Sequence, residues 1–247
     1  MDIEIAFVHG GGQGGWVWGE TIAALNLQSG GCRTVALDAP GCGTKRGRVT
    51  AEVSLDDVAE EMIADIIAAG LKRPLLVGHS QGGQVMSLML ARRPDLFRRA
   101  VYVSCSIPLP GRSVRALMGS GIQGTNPDEV GWPFDPKTEN PADRYPQMFC
   151  NDMDEAQRST FLANLGADTW PLSTYEYTSW RYDHHGIVPA TYVVCLVDGI
   201  LPVRWQERFA ERFAADRIVR IDAGHQAMNT RPHGLAEILR QEMVASH

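Results

Sequence analysis

Apolar residues collect in six short, largely β-branched runs, at positions 3–8, 34–37, 75–77, 100–103, 191–197 and 217–221, each bounded by Gly, Pro or Asp. The runs are nearly continuous rather than alternating, which predicts strands covered on both faces, as in a parallel sheet. Between them lie stretches of helical spacing at 16–27, 55–69, 81–93, 204–214 and 232–244. Ser54 followed by Asp57 supplies an N-cap and a capping-box acid for the second of these helices. Gly70 supplies its stop. Strand and helix in regular alternation predict an α/β fold with a doubly wound, mostly parallel sheet.

The pattern breaks between residues 104 and 186, which are rich in Pro, Gly and aromatics and show no sustained alternation. This division predicts a core of residues 1–103 and 187–247 with a cap inserted at 104–186. The inserted stretch holds about half of the aromatic residues, including Trp132, Phe134, Tyr145, Phe149, Trp170, Tyr175, Tyr177, Trp180 and Tyr182. An insertion above the carboxyl ends of the strands would roof any site there, so Trp132, Phe134, Trp170, Trp180 and Tyr182 are candidates to line an apolar substrate pocket. The majority of these rings are expected in the insertion's own small core.

Composition narrows the class of function. At 247 residues and 44% hydrophobic, the chain can bury one large core. A net charge of −6 without a basic stripe argues against binding nucleic acid, which needs clustered cations. The apolar runs are too short for a membrane span, and the first residues lack the basic-then-apolar form of a secretory signal. The five cysteines, Cys32, Cys42, Cys105, Cys150 and Cys195, are odd in number and without zinc-ligand spacing, which predicts buried thiols in a reducing cytoplasm.

The strongest chemical signal is Gly78-His79-Ser80-Gln81-Gly82, placed between the run 75–77 and a helical stretch. This G-x-S-x-G spacing, on a sharp strand-to-helix turn, lifts a serine hydroxyl clear of the sheet. A serine hydroxyl is a weak nucleophile near neutral pH, so it needs a histidine base and an acid that holds the base's tautomer. His225 follows the run 217–221 in a short turn, and Asp198 follows the run 191–197, so both come to the same sheet edge as Ser80 in the order serine, acid, histidine. Asp222 and Asp183 are weaker candidates for the acid. His184 and His185 lie in the insertion and are expected as a polar surface pair.

Acyl transfer also needs donors for the developing oxyanion. The backbone N–H groups of Gln81, at the start of the helix, and of Gly11, in the glycine-rich loop after the first strand, are the candidates. No metal or organic cofactor is required. The same loop offers a competing pattern: Gly10, Gly12 and Gly15 spell G-x-G-x-x-G and Asp38 ends the next strand, as in dinucleotide-binding oxidoreductases. That reading leaves the serine motif, Asp198 and His225 as coincidences.

Taken together, Val8-His9-Gly10-Gly11 with Trp16 and Trp18, the segment Leu37 to Gly43, the serine motif, Asp198, and Gly224-His225-Gln226-Ala227-Met228 resemble the α/β-hydrolase superfamily. More narrowly, they resemble the branch of plant methyl-salicylate esterases, hydroxynitrile lyases and bacterial pyrethroid-type carboxylesterases. The resemblance implies Ser80, Asp198 and His225 as the triad, Gly11 and Gln81 as oxyanion donors, and a small to medium apolar ester as the substrate. The lyases of this pattern carry a threonine after the first-loop histidine and a lysine after the catalytic histidine. Gly10 and Gln226 stand there instead, which favours ester hydrolysis over cyanohydrin cleavage. A non-hydrolytic lyase or cyclase using the same pocket is the alternative.

Overall fold

A computed structural model describes residues 4–244. The expected start of the first strand at Ile3 lies outside the described residues. Six strands form one sheet: β1 (Glu4–Val8), β2 (Arg33–Leu37), β3 (Leu75–His79), β4 (Arg99–Val103), β5 (Ala190–Cys195) and β6 (Arg217–Ile221). They run in the order β2-β1-β3-β4-β5-β6, and every pairing is parallel. After β1 the chain steps outward to β2 and then back across to β3. The crevice beyond the carboxyl ends of β1 and β3 is therefore the topological switch point where open α/β sheets place their ligands.

The doubly covered sheet explains the unbroken apolar runs. Ile5, Phe7, Leu75, Val77, Val101 and Val103 share one core with Leu25 of α1 (Gly19–Ser29) and Leu239 of α9 (Pro232–Val244). Ala6, Val8, Leu76, Ala100, Tyr102 and Tyr192 share the other with Met62 of α2 (Leu55–Ala68), Val85 of α3 (Gly82–Arg92) and Phe209 of α7 (Val203–Arg212). The expected capping box holds: Ser54 accepts from Asp57 N–H while the Asp57 carboxylate accepts from Ser54 N–H. Gly70 follows that helix with φ of 67°.

Two boundaries differ from expectation. The stretch expected as one helix from residue 16 begins as a 3-10 turn, Gly15–Trp18, before α1. The strand expected to reach residue 197 ends at Cys195; Leu196 and Val197 are 41% and 47% exposed. An apolar pattern does not mark this end, because two apolar residues continue past the last ladder position.

Residues 104–186 contribute short helices, α4 (Val114–Met118), α5 (Tyr145–Phe149) and α6 (Glu155–Leu165), and no strand of the sheet. Polar contacts tie this stretch to the core. The Trp16 indole and Gly43 N–H donate to the Asp168 carboxylate at 2.7 and 2.6 Å. Asn151 donates to Val197 O at 2.7 Å, and Gly224 N–H donates to Asp152 at 2.8 Å. Gln123 donates to Ile200 O at 3.0 Å. Among the described residues, no helix is long and apolar enough to cross a membrane.

The histidine pair is not at the surface. His184 is 4% exposed, and the His185 ring packs on Tyr102 and Phe213. His185 Nδ1–H donates to Val188 O at 3.3 Å, and Nε2 accepts from the Tyr102 hydroxyl at 3.0 Å. Burial, opposed by the Val188 carbonyl and Asp216, holds His185 down at about 4. The unfolded chain therefore binds a proton that the folded chain refuses once pH falls below the ordinary value of 6.5. Stability present at neutral pH is lost progressively between about 6.5 and 4, by a few kcal/mol in order of magnitude. Thermal melts at pH 7 and pH 4.5 check this: His185→Gln is expected to show a clearly smaller acid-induced fall in Tm than the parent chain.

Candidate active site

β3 ends at His79, and Ser80 takes a left-handed backbone with φ of 51° before α3 begins at Gly82. For a non-glycine residue such a turn costs on the order of 1–3 kcal/mol, and it persists because the surroundings hold it. Ser80 N–H donates to Val103 O at 3.2 Å and Gly83 N–H to Ser80 O at 3.2 Å, which fixes the turn from both sides. Gly82 lies against the first loop: a Cβ there would sit 2.7 Å from His9 O and 2.8 Å from Val8 O. No side chain fits between two rigid backbones, so glycine is obligatory at this spacing.

Asp198 lies three residues past β5 rather than directly after it. Its Oδ1 accepts from the N–H groups of Ile200 and Leu201 at 2.7 and 2.9 Å. Its Oδ2 accepts from Ser104 Oγ and from His225 Nδ1, the latter at 2.7 Å. Both side chains of the Asp198 and His225 pair are fully buried. With Nδ1 donating to a carboxylate, the His225 ring is the tautomer that presents a lone pair on Nε2. That atom is buried and without a hydrogen-bond partner among the described residues. Neither Asp222 nor Asp183 is the partner of His225; Asp183 pairs with Arg181.

Two residues to which the sequence assigned no role complete this arrangement. Ser104, at the end of β4 with φ of 42°, reaches Asp198 from the neighbouring strand. His79 Nε2–H donates to His225 O at 2.9 Å, and the two rings lie 4.6 Å apart. Burial, reinforced by the proximity of His225, holds His79 well below its ordinary range, so it stays neutral. The one available signal was position: His79 directly precedes Ser80, and Ser104 directly follows the apolar run 100–103.

The first loop is shaped by His9. Its Nε2 accepts from Ala39 N–H at 3.1 Å, so Nδ1 carries the proton and donates to Gly10 O at 2.7 Å. Because a trans peptide sets C=O and the following N–H on opposite sides, this bond turns Gly11 N–H away from His9. A Cβ on Gly10 would stand 3.1 Å from Ser80 Cβ, which places the loop directly against the serine. At Gly11 the same position is already filled by the Gln81 carboxamide, with the Tyr175 hydroxyl 3.2 Å away.

The glycines of the dinucleotide pattern serve other ends. The Asp38 carboxylate accepts from Gly15 N–H at 2.6 Å, from Thr44 N–H at 2.9 Å and from Thr44 Oγ1 at 2.6 Å. It is 8% exposed and its oxygens are occupied by Gly15 and Thr44, so the acid that pattern reserves for a ribose is committed elsewhere. Cys105 lies beside the elbow, but burial pushes its thiol far up and its Sγ donates to Gly78 O at 3.2 Å. It is no rival nucleophile.

The aromatic candidates divide. Trp132 and Phe134 pack on each other, and the Trp132 indole donates to Gly119 O. Trp180 packs on Tyr177 and donates to Arg112 O, and the Tyr182 hydroxyl donates to Pro108 O. These four are bound into the insertion's own packing. Trp170 lies edge-on to His9 at 5.5 Å. Two further rings of the insertion approach the polar cluster: Phe149, 5.8 Å from the His225 ring, and Tyr175, whose hydroxyl lies beside Gly11.

Comparison with known proteins agrees with this architecture. A family model described as the alpha/beta hydrolase family matches residues 5–238. "Probable esterase PIR7A" of Oryza sativa is 32% identical over 51% of this chain and 47% of its own length, so the chain spans about half of that relative. Polyneuridine aldehyde esterase of Rauvolfia serpentina is 25% identical over 96% of this chain and 94% of its own. The carbendazim hydrolyzing esterase of Nocardioides is 27% identical over 96% and 98%. Among solved structures, a pyrethroid hydrolase from Sphingobium faniae superposes with a TM-score of 0.77 at 20% identity, covering 98% of this chain and 97% of its own. The chain belongs to the alpha/beta hydrolase family.

Proposed function

We propose that the chain is a serine carboxylesterase in which Ser80 is the nucleophile, His225 the base and Asp198 the acid. The observation that carries this is the Asp198–His225 pair: it is fully buried, its tautomer is set by a 2.7 Å bond, and it leaves Nε2 open at the sheet edge that holds Ser80. Ser80 Oγ attacks the ester carbonyl carbon while Nε2 takes its proton. A nucleophile–base hydrogen bond of this kind commonly closes only when substrate is bound. The tetrahedral oxyanion is met by the N–H groups of Gly11 and Gln81, a contribution of about 3–4 kcal/mol per donor in well-studied cases. Nε2–H then protonates the leaving alkoxide, and water, activated by the same nitrogen, hydrolyses the acyl-serine.

The names of the relatives, a polyneuridine aldehyde esterase, a carbendazim hydrolyzing esterase and a pyrethroid hydrolase, support ester hydrolysis. We assign residues 104–186 as a cap that roofs the site. All five cysteines are unpaired, which suits a reducing compartment such as the cytoplasm. The reading is checked by mixing the protein with p-nitrophenyl acetate in a stopped-flow instrument. A burst of p-nitrophenol no larger than one equivalent, followed by slower steady turnover, is expected. Absence of any hydrolysis of activated esters would sink the reading.

A further inference from the structure

Gln81 is placed by its backbone as an oxyanion donor, but its side chain does something separate. The carboxamide leaves the elbow and stands against Gly11, in the space a Cβ would occupy there. The side chains of Gln81 and Tyr175 interact, yet Gln81 Oε1 has no hydrogen-bond partner among the described residues although it is buried. Oε1 is therefore an open acceptor, packed against Gly11 beside the Tyr175 hydroxyl. A buried acceptor without a donor is destabilising until something donates to it. Ser80, Gln81, Gly11, Gly12 and Tyr175 are each partly accessible, so this acceptor borders the opening over the serine. Gln226, directly after the base, adds a second buried carboxamide whose oxygen and nitrogen both lack partners among the described residues.

We infer that Gln81 Oε1, packed on Gly11 beside Tyr175, selects esters that carry a hydrogen-bond donor on the atom next to the scissile carbonyl, an α-hydroxyacyl ester or the N–H of a carbamate. The geometry follows from the two backbone donors. A carbonyl oxygen lodged between Gly11 N–H and Gln81 N–H puts its α atom within reach of a side chain that lies on Gly11 itself. A hydrocarbon α atom would leave Oε1 dehydrated and unpaired, whereas an α O–H or N–H satisfies it. This sharpens the expectation of an apolar substrate: a polar corner lies beside the reacting carbon, next to Tyr175. The inference rests on the serine-esterase reading.

The experiment compares kcat/KM, by acid release, for methyl mandelate, methyl phenylacetate and methyl α-methoxyphenylacetate, with methyl N-phenylcarbamate as the N–H arm. The methoxy ester keeps the electron-withdrawing oxygen and removes only the donor, so it separates hydrogen bonding from inductive activation. Mandelate is expected to exceed the methoxy ester at least tenfold in the parent protein. Gln81→Leu, which keeps the backbone N–H, is expected to bring that ratio near one, and Tyr175→Phe to reduce it part of the way. A faster carbamate than phenylacetate would identify N–H as the natural donor; a slow one assigns it to O–H. Equal rates for hydroxy and methoxy esters, or a ratio untouched by Gln81→Leu, would overturn the inference while leaving the esterase reading intact. Inertness toward all four esters together with p-nitrophenyl acetate would remove both.

Discussion

Ser80→Ala lowers kcat/KM toward p-nitrophenyl acetate by roughly 10⁴- to 10⁶-fold, the range seen when a triad nucleophile is removed. Every other element of the site survives this change. The elbow is held by Ser80 N–H to Val103 O and Gly83 N–H to Ser80 O, both of which are backbone bonds that alanine retains. The left-handed turn at φ 51° is no easier for alanine than for serine, so folding stability is expected to stay within about 1 kcal/mol. The loss would therefore report chemistry rather than unfolding, and equal Tm values for the two proteins verify that. Activity surviving Ser80→Ala would point instead to a lyase or cyclase that uses His225 as a plain base.

Asp198→Asn is the second large effect, a fall of roughly 10⁴ in kcat, by the tautomer argument established for serine hydrolases. Asparagine can keep one carbonyl oxygen toward Ile200 N–H and Leu201 N–H, which accept no substitute in that turn. Its NH2 then faces His225 Nδ1, which must become an acceptor. The ring proton moves to Nε2, and the atom that should take the proton from Ser80 already carries one. The ester panel at pH 7 measures the drop, and an unchanged KM beside a collapsed kcat is the expected signature. An activity within tenfold of the parent would show that Asp198 does not govern the histidine.

The strand runs were legible because both faces of the sheet are buried: Ile5 and Phe7 serve one core, Ala6 and Val8 the other, and no polar residue interrupts them. The nucleophile motif was legible because Gly82 has no alternative against two backbone oxygens. What stayed hidden depends on contacts between distant segments. Ser104 meets Asp198 across 94 positions, and His79 meets His225 across 146. Nothing local in either sequence distinguishes such a serine or histidine from one that caps a turn. The stretch 104–186 was hardest, since its aromatics carry no period. Trp132 and Trp180 turn out to anchor the insertion through their indole N–H groups, whereas Phe149 and Tyr175 approach the polar cluster. His184 and His185 were misplaced for a related reason: a polar pair reads as surface until its partners, here Tyr102 and Val188, are known.

Active-site labelling decides whether Ser80 is the nucleophile. The protein is treated with a fluorophosphonate, digested, and mapped by mass spectrometry. One phosphonyl adduct per chain is expected, on the peptide containing Ser80, and none in Ser80→Ala. An adduct on another residue, or unlabelled protein that still hydrolyses esters, would contradict that role.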